Sequence, residues 1–260
     1  MSHNAVPDMK NFNGLTGFGD NLNVAVFGAS GGIGKAFIEH LANDPSVAKI
    51  FALSRSAVVA GHRKVISRQY DPYSDDSLSN IAEMIGDVGG LHLGIAAIGM
   101  LHDKDRNIGP EKSWRDLSPD DLAATYSANT IAPVMVMKHM LPLLPRDRRA
   151  GFAALSARVG SISDNRIGGW YGYRAAKAAL NQHIRCAAIE LARKHSQAFC
   201  IGLHPGTVDT ALSEPFQKNV AAEKLFSTAY STACMLNVLN CTTPANSGRL
   251  FAYDGSEIEP

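Results

Sequence analysis

From Leu22 onward the chain alternates short apolar runs with longer segments of helical period, a pattern that restricts it to a parallel sheet covered by helices. The runs LNVAVF (22–27), KIFALS (49–54), RKVISRQY (63–70), LHLGIAA (91–97), GFAALS (151–156), AFCIGLH (198–204) and GRLFAY (248–253) read as strands. Helices are expected near 32–43, 75–86, 119–140, 170–194 and 227–240. Several strands are apolar throughout, as strands buried on both faces are. The expected fold is α/β: a single Rossmann-like domain over 22–260, with a doubly wound parallel sheet of about seven strands and helices on both faces. At 260 residues, 45% hydrophobic, the chain can fill one such core. Residues 1–21 are polar, lack the apolar run of a signal peptide, and read as a loosely ordered extension.

Charge narrows the partner. With 25 basic and 24 acidic residues the net charge is +1, so no long-range field favours nucleic acid or an anionic membrane. No stretch reaches the ~18 uninterrupted apolar residues of a membrane span. Cys186, Cys200, Cys234 and Cys241 show neither C-x-x-C spacing nor a histidine cluster, which reads as reduced interior thiols and no metal site. A small-molecule ligand and a cytoplasmic setting are expected.

In a doubly wound fold ligands bind beyond the carboxyl ends of the strands. The first strand runs into GASGGIG, Gly28 to Gly34, and then into a helix. Glycines at 28, 32 and 34 let the backbone turn tightly and approach a pyrophosphate at the helix N-terminus, where unpaired N–H groups and the dipole favour an anion. The second strand ends ALSRS, with Ser54 and Arg55 where an NAD site presents an acid. Arg55 is either a surface arginine or a fork for a 2′-phosphate, which favours NADP(H) while leaving NAD(H) open. Asp71, after the third strand, either caps the helix near 75 or accepts from an adenine amino group.

Two helices carry the remaining signals. SPDDLAATYSANTIAPVMVMKHML begins with Ser118 as N-cap and contains Pro133, which has no N–H for the carbonyl of Asn129. Either the helix tolerates a kink, or the freed carbonyl holds a water on a proton path. In SARVGSISDNRIGGWYGYRAAK (156–177), Tyr173 and Lys177 are four residues apart and share a helix face, whereas Tyr171 points elsewhere. A neighbouring ammonium is what a tyrosine needs to exchange its proton near neutral pH.

Together, the glycine-rich loop, the asparagine before a helix-interior proline, and Y-x-x-x-K after a serine-bearing strand resemble the short-chain dehydrogenase/reductase family, over about 22–255. AAIG (96–99) is similar to its N-N-A-G strand end, and HPGTVDT (204–210) to its P-G-x-V-x-T nicotinamide loop. Residues 156–177 and SGRLFAYDGSEI look closest to the C-factor-like and sniffer-type carbonyl reductase branch. The resemblance implies Tyr173 as general acid/base, Lys177 as the group that lowers its pKa and holds the nicotinamide ribose, and Asn129 as holder of a relay water. It assigns to the cofactor Gly28, Ser30, Gly32, Ile33, Gly34, Arg55, Asp71, Ala97, Gly99, Tyr173, Lys177, Pro205, Gly206, Val208 and Thr210. The implied activity is hydride transfer between NADP(H) and a carbonyl or secondary alcohol. A nucleotide-bound regulatory protein of little turnover is the alternative.

The family's substrate-binding serine is replaced. Three residues before Gly160 stands Ala157. Either the strand end bulges so that Ser156 supplies the hydroxyl, or Ser161 supplies it from the loop, or the site works without one. The segment 209–226 is expected to cover the substrate. His62, His102 and His204 read as surface or loop residues. Met135, Met137, Leu180, Ile184 and Ile189 give the two long helices more apolar surface than one sheet face requires, which implies a homo-oligomer, dimer or tetramer.

Overall fold

The computed structural model describes residues 11–56 and 61–260. Strands β1 (Leu22–Phe27), β2 (Val47–Ser54), β3 (Val65–Gln69), β4 (Leu93–Ala96), β5 (Ala150–Leu155) and β6 (Ala198–His204) form a parallel sheet with β9 (Leu250–Ala252), and β10 (Glu257–Ile258) adds an antiparallel edge. The order is β10-β9-β6-β5-β4-β1-β2-β3. The sheet thus has eight strands, one more than the apolar runs suggest. A strand of two residues, one of them the charged Glu257, has no alternation from which to be read.

The connections reverse direction between β1 and β4, so this edge-to-edge crevice is the switch point where such folds bind ligands. On one face, Phe37 and Leu41 of α1 (Gly32–Asn43) pack with Met235, Leu236 and Leu239 of α6 (Thr228–Cys241). On the other lie α2 (Asp75–Gly86), α4 (Ala132–Met140) and α5 (Tyr171–Leu191), contributing Leu78, Val136, Met140 and Leu191 among others. A separate pair, β7 (Thr207–Val208) and β8 (Leu225–Phe226), closes the segment expected to cover the substrate at its two ends.

Residues 1–10 of the expected N-terminal extension lie outside the described residues. Residues 11–21 are not loose. Leu15 and Phe18 are buried in the core beside α6, Leu15 N–H donates to Asp44 Oδ2, and Gly17 N–H donates to Asn240 Oδ1. Phe12, Leu15 and Phe18 stand every third residue among glycines and polar residues, too short a run to read as an element, yet Leu15 and Phe18 are buried and Phe12 packs partly buried against the same core.

The expected helix over 119–140 is three pieces: α3 (Pro119–Tyr126), a π-turn over Ser127–Ile131, and α4. Ala132 N–H reaches back five residues to Ser127 O, widening the turn just before Pro133. The proline thus inserts an extra residue into the helix where a simple bend was one alternative, and such insertions recur at functional sites.

The apolar excess on the long helices is smaller than their sequences suggest. Met137, Leu180 and Ile184 are spent on the sheet, while Ile189 remains exposed. Cys200 and Cys234 are buried, but Cys186 and Cys241 are exposed. Among the described residues no helix is long and apolar enough to cross a membrane.

Candidate active site

The turn after β1 works by close approach. Gly28 has φ +84, a left-handed conformation that favours glycine, and a β-carbon on it would stand 2.2 Å from Ala97 O. Gly34, in the first turn of α1, packs equally tightly on Gly28 O. The N-cap of α1, Gly31, has no side-chain cap, so the N–H groups of its first turn are left for a ligand.

That turn opens on a cavity of about 660 Å³. Gly28, Ser30 and Gly31 line it from β1, Ser54 and Arg55 from β2, and Ala97 and Gly99 from β4. Gly32 and Ile33 stand behind this wall at the helix start, with Thr210 Cγ2 3.0 Å from where a Gly32 β-carbon would be. An extended dinucleotide fits such a groove: glycine backbone for the phosphates, the helix end for their charge, and an arginine at the far end.

Arg55 is exposed on the cavity rim, and no carboxylate pairs with its guanidinium among the described residues. It lies near Tyr70, whose phenol burial pushes well above its usual range against the pull of Arg55. Asp71 does not cap α2. Ser74 does so, accepting from Ser77 N–H, while Asp71 Oδ1 takes the N–H of Tyr73.

Behind the Gly99 wall of the cavity Asn129 and Lys177 converge, with the Tyr173 ring beside Lys177. Asn129, in the π-turn, is fully buried. Its amide donates to Met100 O at 2.7 Å and its Oδ1 accepts from Met100 N–H at 3.0 Å, so the asparagine side chain locks the strand end after β4. A β-carbon on Gly99 would stand 3.1 Å from Asn129 Oδ1 and 3.5 Å from Lys177 Nζ, which puts both beside the cavity wall. Lys177 is buried at 2% exposure and donates to Leu155 O at 2.8 Å. Its Nζ lies 5.7 Å from the Tyr173 ring centroid. Tyr171 is exposed on a different side of α5.

Burial sets both protonation states. It lowers Lys177 to about 7 and pushes Tyr173 up to about 12. At neutral pH the tyrosine therefore holds its proton, against the lowered pKa that the resemblance implies for it beside Lys177, and the lysine gives up its proton far more easily than a free lysine does.

Beyond Tyr173 the rings continue. Trp170 meets Tyr173 edge-on at 6.2 Å, Phe216 meets Trp170 at 5.4 Å, and His102 meets Phe216 at 6.0 Å. His102 also bonds Ala211 O at 3.0 Å. It is thus a half-exposed loop histidine, as expected, and it also supports the covering segment. His204, by contrast, is not a surface or loop histidine: it ends β6, and burial first, with Arg158 second, lowers it to about 4.

The residues expected to form a nicotinamide loop lie where β6 leaves the sheet. Ser231 donates to Pro205 O, Gly206 has φ +77 with Phe226 against it, and the Val208 carbonyl accepts from Ser213 and Thr210.

Ser156 is the correction. Strand β5 pairs with β6 in unbroken register through Leu155, and Ser156 N–H continues the ladder to Leu203 O, so the strand end does not bulge. Ser156 Oγ donates to Asn181 Oδ1 at 2.6 Å. Asn181 is two helical turns past Tyr173, about 12 Å along α5. Ser161 Oγ accepts Asp164 N–H at 3.1 Å and is buried in its own turn. Neither hydroxyl is directed to Tyr173, and Ala157 occupies the strand-end position itself.

Sequence reasoning missed Glu111. Helix α5 starts at a tryptophan N-cap with no capping side chain, and Glu111 Oε2 takes the N–H of Gly172 from 61 residues away. The missing cap is the one signal in the sequence; its supplier is not legible there.

The profile of the short chain dehydrogenase family matches residues 22–221. The chain belongs to that family. It is 34% identical over 143 residues to the C-signal protein of Myxococcus xanthus, a match that spans 55% of this chain and 81% of that one. Carbonyl reductase Sniffer of D. melanogaster superposes with a TM-score of 0.80 at 22% identity, over 93% of this chain and all of that one. The NADPH-bound carbonyl reductase from chicken fatty liver also gives 0.80, at 24% identity and with both chains fully covered. At that identity the likeness is one of fold.

Proposed function

We propose that the protein is an NADP(H)-dependent oxidoreductase that reduces a small carbonyl compound or oxidises the matching secondary alcohol. The observation that carries this reading is the convergence of Asn129 and Lys177 on Gly99 at one end of the groove, with Tyr173 above Lys177. A nicotinamide bound there supplies or accepts the hydride. Tyr173 Oη gives its proton to the carbonyl oxygen as that oxygen gains charge. Lys177, held by Leu155 O, lies close enough to stabilise the phenolate that remains. Asn129 fixes the wall beside Gly99, and Val208 and Thr210 orient the carboxamide end. With Ala157 at the strand end and both serines engaged elsewhere, Tyr173 polarises the carbonyl alone. NADPH oxidation measured against a panel of small ketones and aldehydes tests the reading; no turnover with any of them would reject it.

Arg55 selects the cofactor in this reading. Replacing it by aspartate removes a 2′-phosphate partner and adds a repulsive charge, so the ratio of NADPH to NADH dissociation constants is expected to move at least ~10-fold towards NADH. Titration of both cofactors measures it, and an unchanged ratio would show that Arg55 does not read the phosphate.

One set of observations favours a second reading, a nucleotide-bound signalling protein: Ala157, the diverted serines and the similarity to C-signal. It predicts NADPH binding without turnover. In either reading we propose a homo-oligomer built on the outer faces of the π-turn with α4 and of α5, where Ile131 of the π-turn and Ile189 of α5 are each 49% exposed. Sedimentation showing only a 27.8 kDa species at micromolar concentration would reject that assembly.

A further inference from the structure

Residues Gly168, Gly169 and Trp170 lead into α5 with φ angles of 71, 64 and 52. Three successive left-handed residues are free to glycine, but the third is a tryptophan, for which this conformation is unfavourable. Something must hold it. Trp170 N–H donates to the carbonyl of Glu111, and two residues on, Gly172 N–H donates to Oε2 of the same glutamate at 3.1 Å. Glu111 is itself 6% exposed, and a β-carbon on Gly172 would stand 2.8 Å from Glu111 Oε1, so the carboxylate lies flat against the helix start. Main chain and side chain of one residue thus clamp both sides of the strained tryptophan.

We propose that Glu111 is a positioning residue for the reaction of Tyr173, an inference that rests on the oxidoreductase reading. Its carboxylate supplies the cap that α5 lacks, and a negative charge at a helix N-terminus is favourable there. What the strained backbone gains is the place of the Trp170 ring: edge-on to Tyr173 on one side, against Phe216 of the covering segment on the other. Backbone strain held by a surrounding lock is characteristic of sites whose geometry must not drift. Tyr173 stands one residue after Gly172, so the clamp fixes the start of the turn that carries the phenol. Releasing Glu111 therefore moves the proton donor, while the phosphate end of the groove stays as it is.

The test uses Trp114→Phe as background, because Trp114 is exposed and Trp170 is the other of the two tryptophans. Glu111→Ala is expected to lower kcat by about tenfold or more, leave the NADPH dissociation constant within about twofold, and move Trp170 emission to longer wavelength. Glu111→Gln, which keeps an acceptor oxygen, is expected to restore emission and most of kcat. If the alanine variant fails to fold, Glu111→Asp takes its place, since its carboxylate is one methylene short of Gly172. Unchanged kcat and emission in the alanine or aspartate variant would overturn the proposal. So would equal loss of turnover and NADPH affinity with no rescue by glutamine, which marks a mere structural prop. If the parent protein turns over no carbonyl, the oxidoreductase reading has failed. Emission that shifts in alanine and recovers in glutamine then still upholds the clamp, and unshifted emission rejects it.

Discussion

Tyr173→Phe is expected to keep the fold and NADPH binding and to lower the proposed carbonyl reduction by about 10²–10⁴-fold, because it removes one transferable proton and nothing else. The size of the effect follows from the surroundings of the phenol. Burial raises its pKa from 10.0 to about 12, so at neutral pH the phenol carries the proton that the substitution removes. Alcohol oxidation, which needs the phenolate, should gain with rising pH. With no serine hydroxyl turned to the carbonyl, no second donor covers for the loss. Tyr171→Phe is the control: that ring is exposed and points away from Lys177, so turnover should change less than about twofold. Steady-state kinetics of the two variants beside NADPH titrations decide the matter. Full turnover in Tyr173→Phe would remove the catalytic reading and leave the nucleotide-bound regulator as the better account.

The frame of the site was legible because its causes are local. A strand buried on both faces must be apolar, a turn that touches Ala97 O must be glycine, and a Tyr and Lys four apart must share a helix face. The six sheet strands from β1 to β6 and the cavity end of β4 follow from such rules. What escaped depends on partners distant in sequence or on single side chains. Ser156 faces Asn181 because the β5 ladder runs on without a bulge, and whether a strand end bulges is settled by its neighbour β6. Glu111 acts across 61 residues. Pro133 announced an interruption, but only the packed helix shows a π-turn with Asn129 gripping Met100. Leu15 and Phe18 reach the core from a segment whose composition reads as loose. On the long helices, Met137, Leu180 and Ile184 satisfy the sheet first.

Lys177→Met is expected to make the protein more stable while weakening NADPH binding and turnover. An ammonium at 2% exposure has given up its water for one carbonyl, Leu155 O, and no carboxylate pairs with it among the described residues. Burial accordingly lowers its pKa from 10.5 to about 7. A lysine that releases its proton near pH 7 when folded and near 10.5 when unfolded makes the unfolded state the better proton binder between those values. Stability therefore rises with pH across that window, and at pH 7 and below the charged lysine costs on the order of a few kcal/mol. Tyr173 acts in the opposite sense above it: its pKa is raised from 10.0 to about 12, so stability falls again as pH climbs through that range. Methionine fills similar volume without a charge to desolvate, so the rising limb should vanish and Tm at pH 7 should increase by several degrees, on the order of 2–4 °C per kcal/mol. Thermal melts of both proteins from pH 6 to 10 test this. A lower Tm in Lys177→Met, or a pH slope identical to the parent's, would mean that the Nζ–carbonyl bond outweighs the desolvation. A higher Tm would place at this residue a conflict between stability and chemistry, because the cation that destabilises the fold is the one that the proposed ribose and phenolate contacts require.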